Sequence, residues 1–114
     1  MAHVLYKGIE WRRRICVTDR DESGVDTGVR TNLTGKVLKL EVRRRTGGPV
    51  LIELTSGDGI THLDQGAEGT RGIADLVIAV EDQAVLDAPA LHVLNVQLDD
   101  QVITPPQHLE VALL

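Results

Sequence analysis

LTGKVLKLEVRRRTGGPVLIEL, residues 33–54, decides the fold class of this 114-residue chain. Leu38, Leu40 and Val42 place an apolar side chain at every second position. Val50, Ile52 and Leu54 repeat the pattern after Thr46-Gly47-Gly48-Pro49. A period of two sends alternate side chains to opposite faces of a strand, so each run has one face for a core and one for water. The glycines and proline between the runs supply a turn, and Ser56-Gly57-Asp58-Gly59 supplies the next. Two alternating runs around a tight turn predict an antiparallel hairpin.

The alternation continues in both directions. Ile9, Trp11, Ile15 and Val17 hold odd positions, Glu10, Arg12 and Arg14 hold even ones, and Arg13 is the irregular member of the apolar row. Residues 1–8 read as an N-terminal arm before a single domain of residues 9–114. Asp19 to Gly24 is a loop of turn formers, and the poorly periodic residues 25–34 read as a connection. Beyond the hairpin come a brief strand at Ile60 to Leu63, a loop at Asp64 to Gly69, and a strand with Ala74, Leu76, Ile78 and Val80 on one side. Glu81 to Asp87 is too short for a helix that stands alone and reads as one helical turn.

Leu94, Val96 and Leu98 mark the next strand, which ends at Asp99-Asp100. Val102 and Ile103 start its return partner, and Pro105-Pro106 interrupts it. Proline cannot donate to a ladder, so this strand lies at an edge or carries a bulge there. Leu109, Val111 and Leu113 resume the alternation. About seven short strands separated by turn signals predict an all-β, antiparallel sandwich or barrel.

Composition narrows the function classes. With one Trp, one Tyr and no Phe, the core must be aliphatic, which suits pleated sheets. A net charge of −5 argues against nucleic acid as a partner, since such proteins carry a basic footprint. No run of about 18 apolar residues is present, so no membrane partnership is expected. The first residues lack an apolar stretch before a cleavage site, so no signal peptide is expected. The single Cys16 cannot form an intrachain disulfide and reads as a strand residue rather than a reactive thiol.

Candidate chemistry is sparse. His3, His62, His92 and His108 are scattered, without the spacing of a metal site. Asp58, Asp64 and Glu68 lie in neighbouring loops but do not follow a calcium-loop pattern. Ser23 and Ser56, the only serines, sit in turn sequences outside any nucleophile motif. Gly57-Asp58-Gly59 precedes a strand, not the helix that a phosphate loop requires. The expectation is a non-enzymatic protein without catalytic, cofactor or metal residues.

The two arginine triplets, 12–14 and 43–45, are the unusual charge feature. On extended strands Arg12 and Arg14 share a face, as do Arg43 and Arg45, and all four are expected to project outward. Neighbouring strands would merge them into a basic patch able to pair with carboxylates or phosphates across an interface. The competing role is a solvated guard against edge aggregation. Tyr6 in the arm and Leu114 in the apolar tail complete the interface candidates.

The order of these signals resembles a family of small tailed-bacteriophage and prophage proteins with an immunoglobulin-like β-sandwich. It is similar to the N-terminal domain of phage baseplate upper proteins. The resemblance rests on Gly8 to Trp11 running into Ile15 to Asp19, Leu33-Thr34-Gly35 followed by Leu38 to Arg43, and Val50 to Thr55 followed by Gly57 to Thr61. It continues through Ala74 to Ile78, Glu81-Asp82-Gln83 and the last strand pair, covering roughly residues 8–113. The insert around Val25 to Asn32 and the Pro105-Pro106 break depart from the pattern. The resemblance implies a virion structural protein, assembled in the host cytoplasm, that docks on capsid or tail proteins as a decoration or baseplate component. It carries over no catalytic residue. Edge strands and terminal leucines leave a homo-oligomer open. The rival expectation is a carbohydrate- or ligand-binding module using Trp11 and Tyr6.

Overall fold

The central hairpin forms as its periodicity predicts. In the computed structural model, which describes residues 3–104 and 106–114, β5 (Leu38–Arg43) pairs antiparallel with β6 (Val50–Ser56). Leu40 faces Leu54 and Val42 faces Ile52 across the ladder. Leu38, Leu40 and Val42 are fully buried, and Ile52 and Leu54 nearly so. Val50 is exposed instead, because the register slips between Val42 and Arg43 as the strands enter the turn.

Nine further strands surround this hairpin among the described residues. They are β1 (His3–Tyr6), β2 (Trp11–Cys16), β3 (Thr18–Arg20), β4 (Asp26–Arg30), β7 (Gly59–His62), β8 (Ile73–Ile78), β9 (Ala90–Leu98), β10 (Gln101–Val102) and β11 (Gln107–Ala112). One sheet runs β1-β11-β9-β5-β6-β7-β8-β2 with β10 also paired to β9, while β3 and β4 form a separate ribbon. Pairing is antiparallel except at β1–β11 and β6–β7. The protein is all-β and sandwich-like, as its pattern implies. The sheet curls back on itself like a barrel, with more strands than the seven expected.

The closure is incomplete. β1 and β2 are the two ends of the hydrogen-bonding order, yet the four-residue link 7–10 holds them side by side. Ile9 N–H donates to the Tyr6 carbonyl within that link. A 3-10 helix, Val80–Val85, supplies the clamp, in the place where one helical turn was expected. From it, buried Gln83 accepts from Gly8 N–H at 2.9 Å and donates through Nε2 to the Ile9 carbonyl at 2.7 Å. No backbone ladder joins β1 to β2, so a seam remains between them.

Three expectations need correction. Residues 3–6, read as part of an arm, form a strand in parallel register with β11, His3 opposite Leu109 and Leu5 opposite Val111. Leu5 is fully buried, so the sheet begins inside the supposed arm; Met1 and Ala2 lie outside the described residues. Residues 26–30, read as connection, form β4, whose side chains are all exposed. With neither face on a core, the segment has no reason to alternate. Leu113, read as a continuation of the apolar row, lies past the end of β11 and is exposed.

The proline break behaves as proline chemistry dictates. Val102 pairs with Gln97, Ile103 N–H donates to the Val96 carbonyl, and the ladder resumes only at Gln107 opposite Leu94. Of the residues between, Ile103, Thr104 and Pro106 form a bulge outside the ladder. Pro105 is outside the described residues. The core beneath is one aliphatic cluster with Trp11 as its single large aromatic ring. Each fully buried Leu, Ile or Val contributes about 1.5–3 kcal/mol relative to exposure.

Candidate functional site

The seam opens onto a partly enclosed apolar space. A cavity of about 180 Å³ lies beneath it, floored by Leu40, Leu76, Leu94 and Val96. One wall is β2, through Trp11, Arg13 and Ile15, and the other is the bulge and start of β11, through Ile103, Thr104 and Gln107. The alternation of β2 explains why Arg13 is there. Trp11 and Ile15 face inward, so Arg13 between them must share their side, and it reaches water because the sheet does not close over it. Its guanidinium carbon stands 5.1 Å from the centre of the Trp11 ring, within cation–π range. Across the seam His3 and Gln107 bond side chain to side chain at 2.6 Å, and the His3 ring meets Trp11 edge to face.

Two of the residues around this cavity carry a polar atom without a partner. The indole Nε1 of Trp11 and the hydroxyl of Thr104 are both buried without a hydrogen bond. Buried polar groups are paired in the great majority of native structures, so two orphans around one small cavity are unusual. Trp11 is only 4% exposed and therefore cannot serve as a sugar-stacking platform at the surface. Cys16, at the end of β2, borders the same cavity, and its free thiol is exposed on the face of the strand that Arg12 and Arg14 share.

The arginine triplets do not combine. β2 and β5 are separated by β6, β7 and β8, so the two triplets lie on distant strands. Arg12 and Arg14 project outward as expected. Arg14 makes a bidentate pair with Asp75, its register partner on β8, at 2.7 and 3.1 Å, and Arg12 pairs with Glu10. The hydrogen bond and charge of Arg14 hold the Asp75 carboxyl below the usual carboxylate range. Of the second triplet only Arg43 belongs to a strand. It lies over Glu41 at 3.2 Å and donates to the Gly48 carbonyl, half-buried rather than free. Arg45 is in the turn, exposed, its carbonyl accepting from Gly48 N–H. Arg44 reaches away to Asp87 and to the Leu91 carbonyl.

The remaining interface candidates fall together. Tyr6 on β1 is in register with Ala112 on β11, and Glu110 of β11 faces Leu91 of β9. Tyr6, Ala112 and Leu91 therefore share the outer face of β1–β11–β9. Leu113 and Leu114 extend from the same strand. Tyr6 is 45% exposed, Leu91 52%, Leu113 61% and Leu114 84%, four of the twelve large hydrophobics exposed among the described residues, gathered in one place. Leu91 escaped sequence reasoning because its strand was assigned an inward row alone; its alternate row held the signal.

Ser56 and His62 meet at 2.7 Å through Oγ and Nε2, a spacing a nucleophile and base could share. The Ser56 hydroxyl also accepts from Leu38 N–H at 2.8 Å, which ties it into the β5–β6–β7 ladder. No acidic side chain accepts a hydrogen bond from His62 among the described residues. No three His, Cys, Asp or Glu side chains converge among the described residues. No described helix is long and apolar enough to cross a membrane. No protein-family model and no curated protein matches the sequence.

Proposed function

We propose that this chain is a non-enzymatic structural component of a tailed-phage particle. It docks on the head as a decoration protein or takes a place in the tail or baseplate assembly. The observation that carries the proposal is the apolar outer face of β1–β11–β9 with its Leu113–Leu114 extension. A specific interface takes about 800 Å² from each partner, roughly an eighth of the 6743 Å² surface of this protein. Tyrosine and leucine at the centre of such a patch, with polar residues around it, match the make-up of a protein contact. The resemblance of its sequence signals to those of small phage virion proteins supports a capsid or tail protein as the partner. The edge strand β1 offers a further mode of attachment, since its outer backbone is not taken up by a ladder.

Quantitative mass spectrometry of particles purified through a density gradient tests the proposal. The expected result is a fixed copy number per particle, unchanged by a high-salt wash, because apolar burial is insensitive to screening. Absence of the chain from infectious particles would reject it.

A further inference from the structure

Docking by the outer face makes no use of the cavity under the seam, whose features point to a bound small molecule. Its volume of about 180 Å³ exceeds the roughly 150 Å³ in which an apolar engineered cavity accommodates benzene. Its floor of Leu40, Leu76, Leu94 and Val96 has no polar side chain. Polar side chains stand at the rim: His3 and Gln107, bonded to each other, and Arg13 stacked over the indole. Arg13 donates to the Arg12 and Val4 carbonyls but forms no ion pair with an acidic side chain among the described residues, whereas Arg12 and Arg14 beside it both do. An apolar floor and a guanidinium at the mouth without a carboxylate partner together select a molecule with a hydrocarbon body and one anionic oxygen group.

We propose that the seam cavity binds a small, mostly apolar carboxylate of about the size of benzoate. Its hydrocarbon part lies on the leucine and valine floor, and its carboxylate accepts hydrogen bonds from Arg13. A planar carboxylate suits the guanidinium, and the 5.1 Å stack on Trp11 holds that group over the mouth. A benzylammonium of the same shape meets Arg13 with like charge and is excluded.

Trp11 is the only tryptophan, so its emission reports on the site directly. The full chain is titrated with benzoate, benzyl alcohol and benzylamine, each to about 10 mM, enough to saturate a site with a Kd of about 1 mM. A saturable change is expected for benzoate, a weaker one for benzyl alcohol and none for benzylamine. Arg13→Gln, at an exposed position, should weaken benzoate at least about tenfold and leave benzyl alcohol unaltered, as loss of one charge-assisted pair requires. Ile103→Phe narrows the mouth and should abolish the response. If that variant does not fold, ligand-linked stability replaces it: benzoate at about 10 mM should raise the unfolding midpoint of the unaltered protein and benzylamine should not. No saturable change with benzoate, or a benzoate affinity indifferent to Arg13→Gln, overturns the proposal. So does a response that survives in a folded Ile103→Phe protein, or an unfolding midpoint indifferent to benzoate.

Discussion

His3 and Trp11 meet edge to face, their ring centres 6.1 Å apart and their planes at 79°, although their strands are the opposite ends of the sheet. This contact is where the barrel almost closes. Side chains, not a backbone ladder, hold the two ends together, and the cavity lies beneath them. Trp11 therefore carries both closure and core. Trp11→Ala should cost about 3–5 kcal/mol in chemical denaturation followed by circular dichroism, the range for truncating a large buried ring. Trp11→Phe should cost clearly less, because an aromatic ring is kept and the lost N–H had no partner.

Gln65 has no counterpart among the motifs of the sequence, yet it ties three segments together. Its Oε1 accepts from Leu33 N–H at 3.0 Å and Gly72 N–H at 2.9 Å, and its Nε2 donates to the Leu63 carbonyl at 2.7 Å. Gln65→Leu leaves two buried backbone donors without acceptors. The expected loss is about 3 kcal/mol in equilibrium unfolding, since each orphan costs about 1–3 kcal/mol.

Gly72 is required by its backbone. Its φ is +78°, and a Cβ there would stand 2.6 Å from the Val17 carbonyl oxygen. The strand partners cannot retreat: Val17 N–H donates to the Gly72 carbonyl at 2.7 Å, and Thr31 N–H to the Val17 carbonyl at 3.0 Å. Gly72→Ala should cost at least about 2 kcal/mol, from the left-handed backbone and the clash together. Gly24→Ala, strained in φ but facing open space, should cost less. Comparing the two unfolding curves separates clash from backbone strain.

His92 is fully buried on β9, and neither ring nitrogen has a hydrogen-bond partner. Burial holds its imidazole below the ordinary value of 6.5 against the pull of the Ala90 backbone and Asp87, with Arg44 and Lys7 acting in the same direction as burial. The unfolded chain therefore binds the proton first. Stability should be full above pH 6.5 and fall as pH drops toward the native-state value. His92→Leu should flatten that part of the stability-against-pH curve. A slope unchanged by the substitution would assign the acid sensitivity to other groups.

Much of the fold is written locally. The β5–β6 hairpin, the β8 and β9 rows and the proline bulge all follow from period-two patterning and the missing proline N–H. β1 does not. Its parallel partner is more than a hundred residues away, and four residues carry too little alternation to announce a strand. The β3–β4 ribbon was illegible because it buries neither face. Gln65 and Gln83 act through tertiary placement, which an isolated amide side chain does not signal. Arg13 was visible as a misfit in an apolar row, and that misfit marks the mouth of the cavity. The arginine triplets misled because strand order, invisible locally, sets them apart.

The outer face is tested through Tyr6 and the terminal leucines. Tyr6→Ser, Leu113→Ser and Leu114→Ser change exposed side chains, so stability should move by no more than about 0.5 kcal/mol each. A triple variant should fold normally and yet lose its place on the particle in a competition with the unaltered protein. Arg12→Ala and Arg14→Ala, on β2 and outside the apolar patch, should leave incorporation unchanged.

Electron cryomicroscopy of the assembled particle, at a resolution that traces β1 and β11, tests the docking role most directly. The predicted density has Tyr6, Leu91 and Leu113–Leu114 covered by a capsid or tail protein, with the Arg12–Arg14 edge in solvent. Particles that lack the chain, or that hold it with this apolar face uncovered, would contradict the assignment.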